Sequence, residues 1–248
     1  MTDARPDELD RLESAADAIE SLLSLVAAEE PLDDALQRVA SSGAGAIPDA
    51  DAVSISVLTG EAPRTAAHTD DLLLRLDEEQ YASGRGPCLE AAARGRPVRV
   101  ATRADDQRWP EFVIAAQSCG ISATLSVPLL VERVDDDPEL VGSLNIYSRT
   151  ATAFDPFDET LMRLYTVSAG HAIATARRLQ RYRDTVDQLN GALTSRSVID
   201  QAKGALRAIH GCSEDEAFQR LVTQSQHSNV KLHTVAAVFL DSLNQDAR

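Results

Sequence analysis

The sequence predicts an α+β fold: a domain with a mainly antiparallel sheet flanked by helices, continued by a long coiled-coil-like helix into an all-α three-helix module. Three observations predict it. Between about residues 32 and 155, strand-type runs alternate with helical ones, and the series opens and closes on hairpins. That order suits a mixed α+β sheet and not two parallel βαβ halves. From Leu161 to Leu193 the seam positions keep a 3.5-residue period without slipping, the period of a coiled coil or bundle. After residue 193 the spacing is helical, broken only at His210-Gly211 and Ser228-Asn229.

The elements follow in order. Residues 1–30 read as a helix with a heptad seam of Leu9, Leu12, Ala16, Ile19, Leu23 and Val26. Such a seam faces a partner helix or packs on the helix's own domain. DAVSISVLTG (51–60) alternates and closes on Gly60, as a strand does, and PRTAAHT (63–69) is its expected hairpin partner. PVRVATR (97–103), ISATLSVPLLVE (121–132) and ELVGSLNIYSR (139–149) are further strands, the last two joined by a hairpin around the DDDP run at 135–138. Helices are expected at 71–80, 87–94 and 109–118.

The long helix carries Leu161, Tyr165, Ser168, Ala172, Thr175, Leu179, Tyr182, Val186, Leu189 and Leu193 on its seam. Small residues at Ser168, Ala172 and Thr175 predict close helix–helix approach there, with two packings near in energy through which a signal would travel. In the module, helix one runs through Ile199, Ala202, Leu206 and Ile209. Ser213 and Glu216 form a capping box that opens helix two. Helix three carries Leu232, Val235, Ala236, Phe239, Leu240 and Leu243.

Composition narrows the function classes. No run of ~18 apolar residues occurs, so no transmembrane helix is expected. The start, MTDARPDELDRLE, is acidic and lacks the basic and apolar segments of a secretory signal. Cys88, Cys119 and Cys212 are scattered and odd in number, which suits a reducing, cytoplasmic compartment. The net charge of −15 argues against a nucleic-acid partner until its distribution is read. Residues 190–248 hold six basic and six acidic side chains, so the whole deficit belongs to the first 189 residues. The C-terminal segment is electrostatically a different object.

Within it, SRSVIDQAKGALRAIHGCSEDEAFQRL (195–221) places Lys203-Gly204 in mid-helix. Glycine there costs about 1 kcal/mol relative to alanine, so close approach by a helix or a ligand is expected. Arg196, Lys203 and Arg207 follow at intervals of seven and four, on one helix face. Spacing alone leaves both readings open: a phosphate-binding face with room at the glycine, or a packing glycine among solvated cations.

Three blocks then carry a resemblance. Arg196-x-x-Ile199-x-x-Ala202-Lys203-Gly204-x-Leu206, Ala217-Phe218-x-x-Leu221 and Asn229-x-Lys231-Leu232-x-x-Val235-Ala236 resemble the ANTAR domain in order and spacing, over about 190–243. The resemblance implies a three-helix module that binds structured RNA leaders and suppresses transcription terminators by holding tandem hairpin loops. It implies RNA contacts from Arg196, Ala202, Lys203, Gly204, Arg207, Asn229 and Lys231. The pattern often continues after Lys-Gly as Ile-Leu-Met, whereas here it reads Ala205-Leu206-Arg207, and Arg207 either adds a phosphate contact or is solvated.

GRGPCLEAAARGRPVRV (84–100), RWPEF (108–112), SVPLL (126–130), VGSLNIYSR (141–149) and AFDPFDETL (153–161) resemble a GAF domain, with residues 32–79 matching by strand order. This implies a six-stranded antiparallel sheet with helices on its sides, and a homodimer. Asn145 and Phe154-x-x-x-Asp158-Glu159 are half of a cyclic-nucleotide pattern, but Ile146 stands where its lysine would be, so that ligand is not expected.

No catalytic constellation is found. Gly84-Arg85-Gly86-Pro87 is not a phosphate loop. The five histidines lack metal-ligand spacing, His210-x-Cys212 reads as a helix stop, and no nucleophile motif occurs. No cofactor or metal is expected. Candidate sensor or redox residues are Cys88, Trp109 and Cys119. Cys88 sits near a helix start, where a thiol pKa falls, against the alternative of a buried structural thiol. Trp109 lines a pocket or the core.

The expected parts are an N-terminal helix (1–30), a GAF sensor (31–176), a helical linker (177–192) and an ANTAR module (193–248). The function expected is an RNA-binding antitermination regulator, a cytoplasmic homodimer that takes an unknown small-molecule or protein signal. The alternative is a receptor whose helical tail binds a protein.

Overall fold

The computed structural model describes residues 7–27, 30–59, 62–102, 107–131 and 139–246. They divide into two compact units, one ending at Gln180 and one beginning at Arg181.

The first unit is built on a five-stranded, fully antiparallel sheet of β1 (Ala52–Val57), β2 (Arg64–His68), β3 (Val98–Ala101), β4 (Ala123–Val131) and β5 (Glu139–Ser148). Its order is β2-β1-β5-β4-β3. The sixth strand implied by resemblance does not occur among the described residues. The β4–β5 hairpin forms, and its DDDP turn lies outside the described residues.

The central strand β1 is buried at every position. Alternation along it therefore separates two covered faces rather than a wet one from a dry one. Val53, Ile55 and Val57 join Leu125, Val127, Leu144 and Ile146 in one apolar layer. Against that layer lie α1 (Glu8–Ala27), α2 (Leu32–Gly45) and the first turns of α6 (Pro156–His210). The opposite face is covered by α3 (Leu72–Ser83), α4 (Pro87–Arg94) and α5 (Pro110–Ser118), around Leu73, Leu76, Trp109 and Phe112.

Helix α2 was not foreseen. Its signal is present, however: Pro31, then Asp33 and Asp34 in the first turn, then buried Ala35, Leu36, Val39, Ala40 and Gly43. Helix α1 forms as expected but faces differently. Arg11, Ala15, Ala18 and Leu22 are its buried stripe, while Leu9, Leu12 and Leu23 of the predicted seam are exposed. The side chain of Val26 lies outside the described residues.

Arg11 fixes α1 to the start of α6. Its guanidinium donates to both oxygens of Asp155 at 2.8 and 3.1 Å, and to Asp158 Oδ1 at 3.1 Å through Nε, with a second, shorter contact through Nη2. Asp155 in turn accepts the backbone N–H groups of Phe157 and Asp158 and so caps α6. The Arg11 hydrogen bonds hold the Asp155 carboxyl well below the usual carboxylate range.

Helix α6 runs unbroken for 55 residues, so the predicted rod and helix one of the module are a single helix. Its seam changes character along its length. Leu161, Tyr165 and Ala172 are buried in the first unit's own core, with Tyr165 donating to Val39 O at 2.6 Å. The expected close approach at Ala172 is therefore intradomain packing. Tyr182, Val186, Leu189 and Leu193 are exposed.

The second unit continues with α7 (Glu214–Ser228) and α8 (Leu232–Asp246). Ser213 and Glu216 close the capping box, and Asn229 ends α7 in the left-handed conformation (φ 53°). Ala202, Leu206, Ala217, Leu221 and Ala236 form the small core. Among the described residues no helix is long and apolar enough to cross a membrane.

Candidate functional site

The module's basic face lies on the last turns of α6. Arg196 is almost fully exposed, with Asp200 at 3.8 Å, and Arg207 is exposed in the last turn. Lys203 is not free: its side chain is only 16% exposed, and Nζ lies 2.6 Å from Glu214 and 3.0 Å from Asp200. The hydrogen bond with Glu214, then that with Asp200, raises the Lys203 pKa, and the bond to Lys203 lowers that of Glu214. Lys203 thus ties α6 to the first turn of α7. Two of its three ammonium donors face carboxylates, so a phosphate would meet the third beside two negative charges.

Gly204 bears on the alternatives left open by spacing. A Cβ built there meets nothing within 4 Å among the described residues, so packing within this chain does not require the glycine. It leaves bare backbone on an open surface beside Lys203. Ala202 behaves oppositely. It is fully buried in the module core, so its methyl is out of reach of a surface ligand, a correction to its place among the RNA contacts.

Asn229 and Lys231 are exposed at the α7–α8 junction. Asn229 has a backbone reason to be there, as the left-handed cap of α7. Arg196, Lys203 and Arg207 share the last turns of α6, whereas Asn229 and Lys231 lie on the connection between α7 and α8.

In the sensor unit the redox reading of Cys88 fails. The thiol is fully buried, and burial, then the nearby Asp77, pushes its pKa up rather than down. Trp109 belongs to the core beneath α5, with the Arg108 guanidinium stacked 4.1 Å from its ring. Cys119 is half-buried at the end of α5, 3.9 Å from Ser118 Oγ. The half-pattern for cyclic nucleotides is consumed structurally: Asn145 bonds to neighbouring serines, and Asp158 pairs with Arg11.

What sequence reasoning missed is a buried polar cluster on the α3–α4 face of the sheet. Strand register sets Ser126, Asn145 and Ser54 side by side, with Ser143 and Ser56 in the next row. Asn145 Nδ2 donates to Ser56 Oγ at 2.8 Å, and Tyr81 donates to the same oxygen at 2.7 Å. At the centre is Asp77 of α3, which accepts from Tyr147 at 2.6 Å and Thr65 at 2.8 Å. Burial pushes the Asp77 carboxyl up, against these hydrogen bonds, which pull it down.

Gln80 Nε2, Thr124 Oγ1 and Ser126 Oγ, buried nearby, have no hydrogen-bond partner among the described residues. Such groups are uncommon in a packed interior. The signal was legible as serines alternating with Val and Ile in β1, once both faces are known to be covered. Among the described residues no cluster of His, Cys, Asp or Glu is arranged to hold a metal ion.

Comparison with known proteins agrees with this division. A family model described as GAF domain matches residues 29–174, and one described as ANTAR domain matches 187–240. GAF domains take small-molecule signals and ANTAR domains bind RNA. Among solved structures, a protein described as a GAF sensor from Burkholderia vietnamiensis is 20% identical, with TM-score 0.54, over 67% of this chain and 98% of its own. That likeness concerns the fold. The GAF domain of a phosphoenolpyruvate-protein phosphotransferase from Coxiella burnetii is 20% identical (TM-score 0.48; 67% and 96% covered). A free methionine-R-sulfoxide reductase from Neisseria meningitidis is 19% identical (TM-score 0.48; 66% and 92% covered). No curated protein matches the chain.

Proposed function

The chain belongs to the GAF domain family and ends in an ANTAR domain, and from this premise we propose that it is a transcription antitermination regulator. The sensor is 31–176, the linker 177–192 and the RNA module 193–248, preceded by an N-terminal segment, residues 1–30, that holds α1. The module binds a leader RNA with tandem hairpin loops, and the signal enters at the polar cluster around Asp77. The chain acts in the cytoplasm as a homodimer, joined through the exposed stripe of Tyr182, Val186, Leu189 and Leu193, whose spacing is that of a coiled-coil seam.

The observation that carries the RNA reading is the open surface at Gly204 beside Arg196, Lys203 and Arg207. Hairpin loops are read by stacking and base-edge contacts, with phosphate contacts supplying affinity. Bare backbone next to cations serves both. The module's neutral charge keeps nonspecific affinity low, so bulk RNA is ignored.

Titrating the full chain with a two-hairpin leader at two salt concentrations tests this reading. Lys203→Glu is expected to weaken binding at least about tenfold, as loss of a phosphate contact with a charge reversal does. Glu214→Gln, which frees Lys203 from one of its carboxylates, is expected to tighten it. No binding by either the full chain or residues 181–248 would sink the proposal.

One observation favours a second reading, in which the helical tail binds a protein. A groove of about 500 Å³ in the module is lined by Leu221, Val230, Val235, Val238 and Phe239. RNA binding that survives Val238→Glu separates the two.

A further inference from the structure

The sensor unit concentrates arginine at one place. The end of α4, the start of β3, residue 108 and the first turns of α6 enclose a cleft of about 420 Å³. Arg94, Arg96, Arg99, Arg108 and Arg163 line it, with Glu159 among them. Local geometry puts them there. Gly95 ends α4 in the left-handed conformation (φ 62°), turning the chain so that Arg94 and Arg96 flank the turn. Alternation in β3 buries Val98 and Val100 and sends Arg99 outward.

This runs against the protein's average, which is a net charge of −15. Among the described residues, two carboxylates answer the five guanidinium groups. Glu90 takes Arg94 at 2.5 Å and also Arg108, and Glu159 takes Arg99 at 3.5 Å. Five less two leaves an excess of three positive charges. Arg96 and Arg163 are exposed and have no ion pair among the described residues. Arg108 is held in place: it stacks on buried Trp109, and Arg85 donates to its carbonyl at 3.2 Å. A preordered guanidinium loses less freedom when it binds.

We propose that this cleft binds a small polyanion carrying two or more phosphate groups, of the class of nucleoside di- and triphosphates. The planar guanidinium fork matches phosphate oxygens two at a time. The volume falls within the roughly 300–1,000 Å³ of small-molecule sites. An extended nucleic acid would meet the acidic remainder of the unit, whereas a ligand of cleft size meets the arginines alone. Because Glu159, Thr160 and Arg163 belong to α6, the ligand grips the helix that continues into the RNA module. The site shares no residue with the Asp77 cluster or the Gly204 face, so it stands whether or not RNA binds.

Calorimetric titration of the full chain with pyrophosphate, ATP and orthophosphate, at two salt concentrations, tests the proposal. ATP or pyrophosphate should bind once per chain, more tightly than orthophosphate and more weakly as salt rises. Arg96→Glu combined with Arg163→Glu should weaken binding at least about tenfold, with the thermal melt of the unliganded protein unchanged. Should the double variant melt early, Arg163→Gln alone is read, at an exposed helical position. Binding that the substitutions leave intact overturns the proposal. So does the absence of saturable binding, or binding to long RNA or acidic peptide alone.

Discussion

Two glycines in one helix have opposite surroundings. At Gly170, in the first half of α6, an added Cβ would sit 2.0 Å from the carbonyl oxygen of Leu130, so no side chain is tolerated. At Gly204, near the other end, it would meet nothing within 4 Å. The same contrast holds for the seam, which is core at Leu161, Tyr165 and Ala172 and exposed from Tyr182 to Leu193. A constant period along a helix therefore says nothing about what the stripe touches. The first half of α6 packs into its own sensor domain, and the stretch from Tyr182 to Leu193 lies exposed before the helix enters the module core.

Substitutions at the sensor end should have the largest effects. Arg11→Ala removes the guanidinium from buried Asp158 and is expected to cost about 3–5 kcal/mol in denaturant unfolding. Its pH dependence has a definite sign. Asp155 has its pKa lowered in the folded chain, so its contribution is present above the unfolded carboxylate range and is lost as pH falls through and below it. Wild type should lose stability as pH drops below about 4, and the variant should lose less over that window. Gly170→Ala comes next, at about 1–3 kcal/mol for forcing α6 away from β4; a melting temperature equal to wild type would refute the close approach.

At the other end the sign reverses. Gly204→Ala should stabilise the helix by about 1 kcal/mol, the ordinary gain of alanine over glycine. Smallest in folding energy, within about 0.5 kcal/mol, is the pair Val186→Ser and Leu189→Ser. Their effect should instead appear in sedimentation, as a shift from dimer to monomer. An unchanged dimer would move the interface elsewhere, with the exposed Leu9, Leu12 and Leu23 of α1 as the next surface to test.

Much of the architecture was legible in the chain, because strand alternation, the capping box at Ser213 and the stop at Asn229 are local signals. The burial of each stripe was not. The heptad of α1 and the first half of α6 suggested partners, yet tertiary packing chose Ala15, Ala18 and Leu22 in the one and absorbed Tyr165 in the other. The Asp77 cluster stayed hidden for a related reason. Ser54, Ser56 and Asn145 read as the wet side of a sheet until α3 and α4 are seen to cover it. Lys203 was legible as a cation but not as a clamp, since Glu214 lies beyond a helix stop.

The most direct test is a binding titration of a two-hairpin leader RNA with wild type and Gly204→Ala, run beside thermal melts of both. If the open face is where RNA approaches the helix backbone, the variant melts higher and binds more weakly. A variant that melts higher and binds the leader as wild type does would show that the Gly204 face is plain solvent-exposed surface.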